Sequence, residues 1–207
     1  MFRKKKKTIA PDWIDKLAGV AGWLDNDEAR LLHRLAGECH AKGRCVELGS
    51  YMGRSTVALA AALPEGHTVL AVDTFRGSPE HQHGEKFFDP ATLLPDGSVD
   101  TFPVFAANIA RAGLGDRVEA WRMETVAAAD AFSGSIALLF VDADHAYAAV
   151  TADIAAWRRH LAAEAVVVLH DVGCWEGPTR CAADLIAAGF RRLDQAGTAL
   201  ALRVPAA

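Results

Sequence analysis

Two apolar rhythms alternate along the chain. Leu31, Leu32 and Leu35 stand at helical spacing behind Asp25-Asn26-Asp27-Glu28, where Asp25 with Glu28 three residues on reads as a capping box. Short, mostly apolar runs follow at 45–48, 68–72, 118–121, 136–141 and 166–169, and 136–141 is apolar throughout. Such runs mark strands of a parallel sheet covered on both faces. Between them lie helical stretches at 54–63, closed by Pro64 and Gly66, at 108–113, from Ala146 through Leu161, and at 181–188. Two further strands, 190–193 and 199–204, stand side by side at the end and predict a hairpin.

Five strand–helix alternations followed by two adjacent strands predict an α/β fold. It is a Rossmann-like, seven-stranded, mostly parallel sheet with helices on both faces and a C-terminal antiparallel hairpin. Residues 11–43 read as helical, with Trp13, Ile14 and Leu17 on one face and Trp23 in the core. These helices are expected to cap the cleft or to form a subunit contact, which would make a homodimer. Residues 76–104 break the rhythm with Pro79, Gly84, Pro90, Pro95, Gly97 and Pro103, and predict a mobile lid. His81 and His83 are expected to be exposed on it. Residues 11–207 read as one domain behind a basic, disordered tail at 1–10, where Arg3 to Lys7 carry five positive charges.

Composition narrows the partners. A net charge of −4 argues against a general nucleic-acid binder, whose affinity rests on neutralising phosphates. No apolar run is long enough to span a bilayer, and none follows the basic run to make a secretory signal. The four cysteines, Cys39, Cys45, Cys174 and Cys181, show no framework spacing, which fits a reduced, cytoplasmic setting.

The stretch CVELGSYMGRST carries the first chemical signal. A strand, a glycine turn and a helix N-terminus make a nucleotide site, but the spacing is Gly49-x-x-x-Gly53 rather than that of dinucleotide binders. Glu47, just before the turn, would repel a pyrophosphate and welcome a sulfonium or ammonium. The turn is therefore expected to hold S-adenosylmethionine (SAM), with Ser50, Tyr51 and Ser55 around it. Asp73 ends the second strand, beside Thr74, where its two oxygens could take both ribose hydroxyls; a plain turn aspartate is the alternative. Met123, Glu124 and Thr125 follow the third strand, where an adenine would lie. Asp142, Asp144 and His145 follow the fourth and His170 and Asp171 the fifth, so two acids and two imidazoles meet at one sheet edge. Asp144 reads as a helix cap. Asp142, His170 and Asp171 could hold a divalent metal or form a metal-free network.

The stretches VELGSYMGRST, VLAVDTF, LFVDADHAY and VVVLHDVG together resemble the class I SAM-dependent methyltransferases. They are closest to the small metal-dependent O-methyltransferases acting on sugars and macrolide glycosides, and catechol O-methyltransferases are similar at greater distance. The resemblance implies methyl transfer to a small-molecule hydroxyl. Gly49 and its turn would hold the methionine part of SAM, Asp73 the ribose, and Met123 to Thr125 the adenine. Asp142 and Asp171 would bind Mg²⁺ or Mn²⁺, and His145 would be the general base. His170 departs from the pattern, since relatives usually carry an acid there; a nitrogen ligand would favour Mn²⁺, Fe²⁺ or Zn²⁺. The alternatives are a SAM- or nucleoside-binding regulator, a metal-free methyltransferase and an NAD-dependent reductase.

Overall fold

A computed structural model describes residues 13–205. The expectation for the basic run at 1–10 lies outside the described residues. Seven strands form one sheet in the order β3-β2-β1-β4-β5-β7-β6. They are β1 Arg44–Leu48, β2 Val69–Asp73, β3 Val118–Arg122, β4 Ile136–Val141, β5 Leu161–Leu169, β6 Arg191–Ala196 and β7 Ala199–Arg203. β1 to β5 run parallel, and β7 is antiparallel to both β5 and β6. Six helices surround the sheet: α1 Asn26–Cys39, α2 Arg54–Ala62, α3 Phe102–Arg111, α4 Thr125–Ala131, α5 Tyr147–Trp157 and α6 Glu176–Ala187.

Alternation along the strands builds two cores. Cys45, Val69, Ala71, Leu138 and Phe140 face one way, against α1, α2 and α3. Val46, Leu70, Val72, Leu139 and Val141 face the other, against α4, α5 and α6. Every β4 residue is buried, because this strand has neighbours on both edges and helices on both faces. The strand order reverses between β1 and β4, which opens a cleft at their carboxyl ends.

Several boundaries differ from the sequence pattern. Residues 13–17 make only a 3-10 turn, ended by Gly19 and Gly22 at positive φ. α1 packs into the core through Leu32 and Leu35, while residues 21–24 reach over the cleft. α4 is new, and its Ala-rich sequence shows little periodicity. α5 ends at Trp157, and β5 begins at Leu161, five residues before the apolar run at 166. Residues 76–101 are irregular, with 3-10 turns at Pro79–His81 and Pro90–Thr92, and α3 begins at Phe102 with Pro103 in its first turn. No helix among the described residues is long and apolar enough to cross a membrane. All four cysteines are unbridged.

Candidate active site

The cleft encloses a cavity of about 560 Å³. Its floor is the glycine turn after β1. Gly49 has φ +85°, and a Cβ there would lie 2.3 Å from the carbonyl oxygen of Asp142, so only glycine lets the turn press against the end of β4. Three non-glycine residues beyond strand ends, Tyr51, Phe75 and Asp171, also hold positive φ, the backbone strain that collects at functional sites. Asp73 clasps the turn: its Oδ2 accepts from the N–H groups of Ser50 (2.7 Å) and Tyr51 (2.8 Å), and its Oδ1 from that of Phe75 (2.7 Å). The carboxylate thus fixes the turn and keeps little capacity for two further donors.

Glu47 lies beneath the turn rather than in the cavity. It is fully buried, and its Oε2 accepts from Ser50 Oγ (2.7 Å) and Thr56 Oγ1 (2.5 Å). Its Oε1 has no hydrogen-bond partner. Burial pushes this carboxyl up to about 7 against the pull of the hydroxyls. Gly53 faces the Phe105 ring and Met123 packs, half-buried, against the apolar core, and neither lines the cavity. Gly49, Ser50, Tyr51, Ser55, Asp73, Thr74, Glu124 and Thr125 line it. Beside Thr125, the buried Asp153 accepts from its hydroxyl at 2.5 Å, and burial raises the Asp153 carboxyl to about 6.

The ends of β4 and β5 bring Asp142, His170 and Asp171 together, with one potential ligand atom from each lying within 4.8 Å of the others. His170 is buried. Its Nδ1 lies 3.2 Å from Asp142 Oδ1 and 3.2 Å from Asp171 Oδ2 without a directed hydrogen bond to either. Its Nε2 lies 3.2 Å from Oε2 of Glu28, itself buried in the first turn of α1. Burial opposes charge on His170, but Asp142, Asp171 and Glu28 outweigh it and hold the ring protonated, up to about 12. Asp171 loses hydration too, yet His145 and His170 hold it well below the usual carboxylate range.

His145 sits in the loop before α5, not in the helix, and stacks on Trp175 with ring centroids 4.3 Å apart and planes 7° from parallel. Asp144 accepts from Ala146 N at 2.6 Å, a turn within that loop, and does not cap the helix. Both nitrogens of His145 meet acids: Nε2 is 3.0 Å from Asp171 Oδ2, and Nδ1 is 3.1 Å from Glu80 Oε1 on the irregular segment. The hydrogen bond to Asp171 raises the His145 pKa against partial burial, and Glu80 adds to it.

Sequence reasoning missed the aromatic rim. Trp23 is 54% exposed at the cavity mouth instead of buried in the core, in ring contact with Tyr51, His81 and Phe87. His81 is half-buried against Tyr51, while His83 is exposed as expected. Glu28 and Glu80 were also missed as site residues. Nothing local marks them, because their partners lie on distant elements.

A family described as "Methyltransferase domain" matches residues 46–172. The chain belongs to this family. Solved structures carry the same architecture. The O-methyltransferase from Bacillus cereus in complex with SAH matches at TM-score 0.64 and 18% identity, covering 96% of this chain and 94% of its own. TomG from Streptomyces achromogenes, an O-methyltransferase involved in tomaymycin synthesis and solved with SAM, matches at 0.62 and 18%, covering 95% and 92%. A methyltransferase from Geobacter sulfurreducens matches at 0.60 and 20%, covering 86% and 78%.

Proposed function

We propose that this methyltransferase-family protein moves the methyl group of SAM to a hydroxyl of a small molecule, at a divalent-cation site and with His145 as the base. The observation carrying this reading is the contact of Gly49 with the Asp142 carbonyl, which puts the glycine turn beside the Asp142, His170 and Asp171 cluster. A methyl donor on the turn and an acceptor at the cluster would share one cavity. The family match and the SAM- and SAH-bound neighbours support the donor.

The cluster fits a divalent ion. Two carboxylates and a buried imidazole nitrogen without a directed partner make a mixed oxygen and nitrogen donor set. Such an ion would lower the pKa of a hydroxyl and orient it. The Nδ1 proton of His170 and the ion are alternatives for one position, so ion binding releases a proton. The remaining work belongs to the chain. Asp73 and Glu47 hold the turn in shape, and residues 76–104 cover the cavity as a lid. Asp171 is anchored by His170, so Glu80 is the partner that gives way at His145, which frees Nδ1 for the acceptor. As the hydroxyl oxygen bonds to the methyl carbon, the carbon–sulfur bond breaks, S-adenosylhomocysteine leaves, and Nδ1 of His145 takes the hydroxyl proton.

The exposed faces of Trp23 and Trp175 suit a sugar or other natural-product ring, which supports a glycoside acceptor. A metal-free variant of the mechanism is favoured by one observation, that protonated His170 can itself neutralise the two aspartates. Methyl transfer to glycosides and catechols, measured after EDTA treatment and after add-back of Mg²⁺ or Mn²⁺, separates the two. Activity should vanish on chelation and return with the ion. Full activity after rigorous chelation would leave the metal-free mechanism.

A further inference from the structure

We infer that Glu28 is a positioning residue for the cation site, fixing His170 in the tautomer whose Nδ1 is offered to a divalent ion between Asp142 and Asp171. This rests on the divalent-ion reading above. A capping-box glutamate needs one hydrogen bond, to the N-cap backbone, and Glu28 makes it: Oε2 accepts from Asp25 N at 2.9 Å. It makes three more contacts. Oε1 accepts from Thr198 N and Thr198 Oγ1, both at 2.8 Å, and Oε2 faces His170 Nε2 at 3.2 Å. The carboxylate is 3% exposed, and burying one is costly unless partners repay it.

The partners come from far along the chain. His170 directly follows β5, and Thr198 lies in the turn between β6 and β7. That turn is shaped around the carboxylate: Gly197 has φ +49°, and a Cβ there would fall 2.5 Å from Glu28 Oε1. An ionised carboxylate only accepts hydrogen bonds, so Nε2 of His170 must carry a hydrogen and donate it. Nδ1 is then left facing two more acceptors, Asp142 and Asp171, at 3.2 Å each, with no directed hydrogen bond. A divalent ion between the three groups would take the place of the Nδ1 proton. A carboxylate behind a ligating histidine sets its tautomer and raises its basicity. The nitrogen makes Mn²⁺, Fe²⁺, Co²⁺ or Zn²⁺ a better occupant than Mg²⁺.

The test is Mn²⁺ binding to chelator-stripped protein, followed by calorimetry and by nitrogen hyperfine coupling in the electron paramagnetic resonance of bound Mn²⁺. Glu28→Gln keeps the capping box, which tolerates glutamine, and removes the negative charge that faces Nε2 of His170. It should weaken Mn²⁺ binding by about 10–100-fold, the usual cost of losing a carboxylate behind a ligating histidine. Asp25→Ala destroys the same cap from its other side and should leave Mn²⁺ affinity unchanged. Should Glu28→Gln fail to fold, Gly197→Ala displaces the carboxylate from an exposed turn and should also weaken Mn²⁺. Wild-type protein should show nitrogen coupling. Unchanged Mn²⁺ affinity in a folded Glu28→Gln overturns the positioning role alone. No Mn²⁺ binding by wild type overturns it together with the cation site.

Discussion

Replacing Glu47 by glutamine should flatten the dependence of stability on pH. The carboxyl is fully buried, with hydroxyl donors on one oxygen and none on the other. Burial, aided by the charge of Asp142, raises its pKa from 4.5 to about 7. A raised acid favours the neutral form in the folded state, so its contribution is fully present below pH 4.5 and is lost as pH rises through 7. Raising the pKa from 4.5 to about 7 corresponds to about 3 kcal/mol. Between pH 5 and pH 8 roughly 2.5 kcal/mol of this is traversed. Glutamine cannot ionise, so the gap in unfolding free energy between Glu47→Gln and wild type should shift by that amount in favour of the variant. Urea denaturation of both proteins at pH 5, 6, 7 and 8 reads it, and equal slopes against urea would show that the unfolded states match. Taking the difference cancels the other titrating groups. A gap constant to within about 0.5 kcal/mol across that range would refute the buried, partly protonated Glu47.

Three further outcomes are expected. Asp73→Ala frees two backbone donors of the turn and that of Phe75, and should lower both stability and SAM affinity, the latter by roughly 1.5–3 kcal/mol for charge-assisted hydrogen bonds; unchanged SAM affinity by calorimetry would assign Asp73 to the fold alone. His145→Ala should slow turnover by about 10²–10⁴-fold while leaving SAM affinity intact, and near-normal turnover would make His145 scaffolding. Amide hydrogen exchange across residues 76–104 should be fast without ligand and slowed by cofactor with acceptor; strong protection in both states would show a rigid insert.

The sheet was legible because its evidence is local. β4 is an unbroken apolar run, the other parallel strands are mostly apolar, and an acid or histidine stands at the ends of β2, β4 and β5. α4 was not, since an alanine-rich helix buries its face without a periodic pattern. At the site, the gathering of Asp142, His170 and Asp171 at neighbouring strand ends was legible from order alone. Side-chain directions were not: Glu47 turns under the loop, Met123 rests half-buried against the core, and Trp23 turns out to the cavity mouth. Glu28 shows the limit most plainly. Its capping box is written in four consecutive residues, but its contact with His170 spans 142 positions and exists only once α1 has packed beside β5.

The cavity over the Gly49 turn is expected to bind SAM. Calorimetric titration of the protein with SAM, S-adenosylhomocysteine and NAD tests it directly. Binding of SAM and S-adenosylhomocysteine with no binding of NAD is the predicted result. Tight NAD binding with no SAM binding would contradict it.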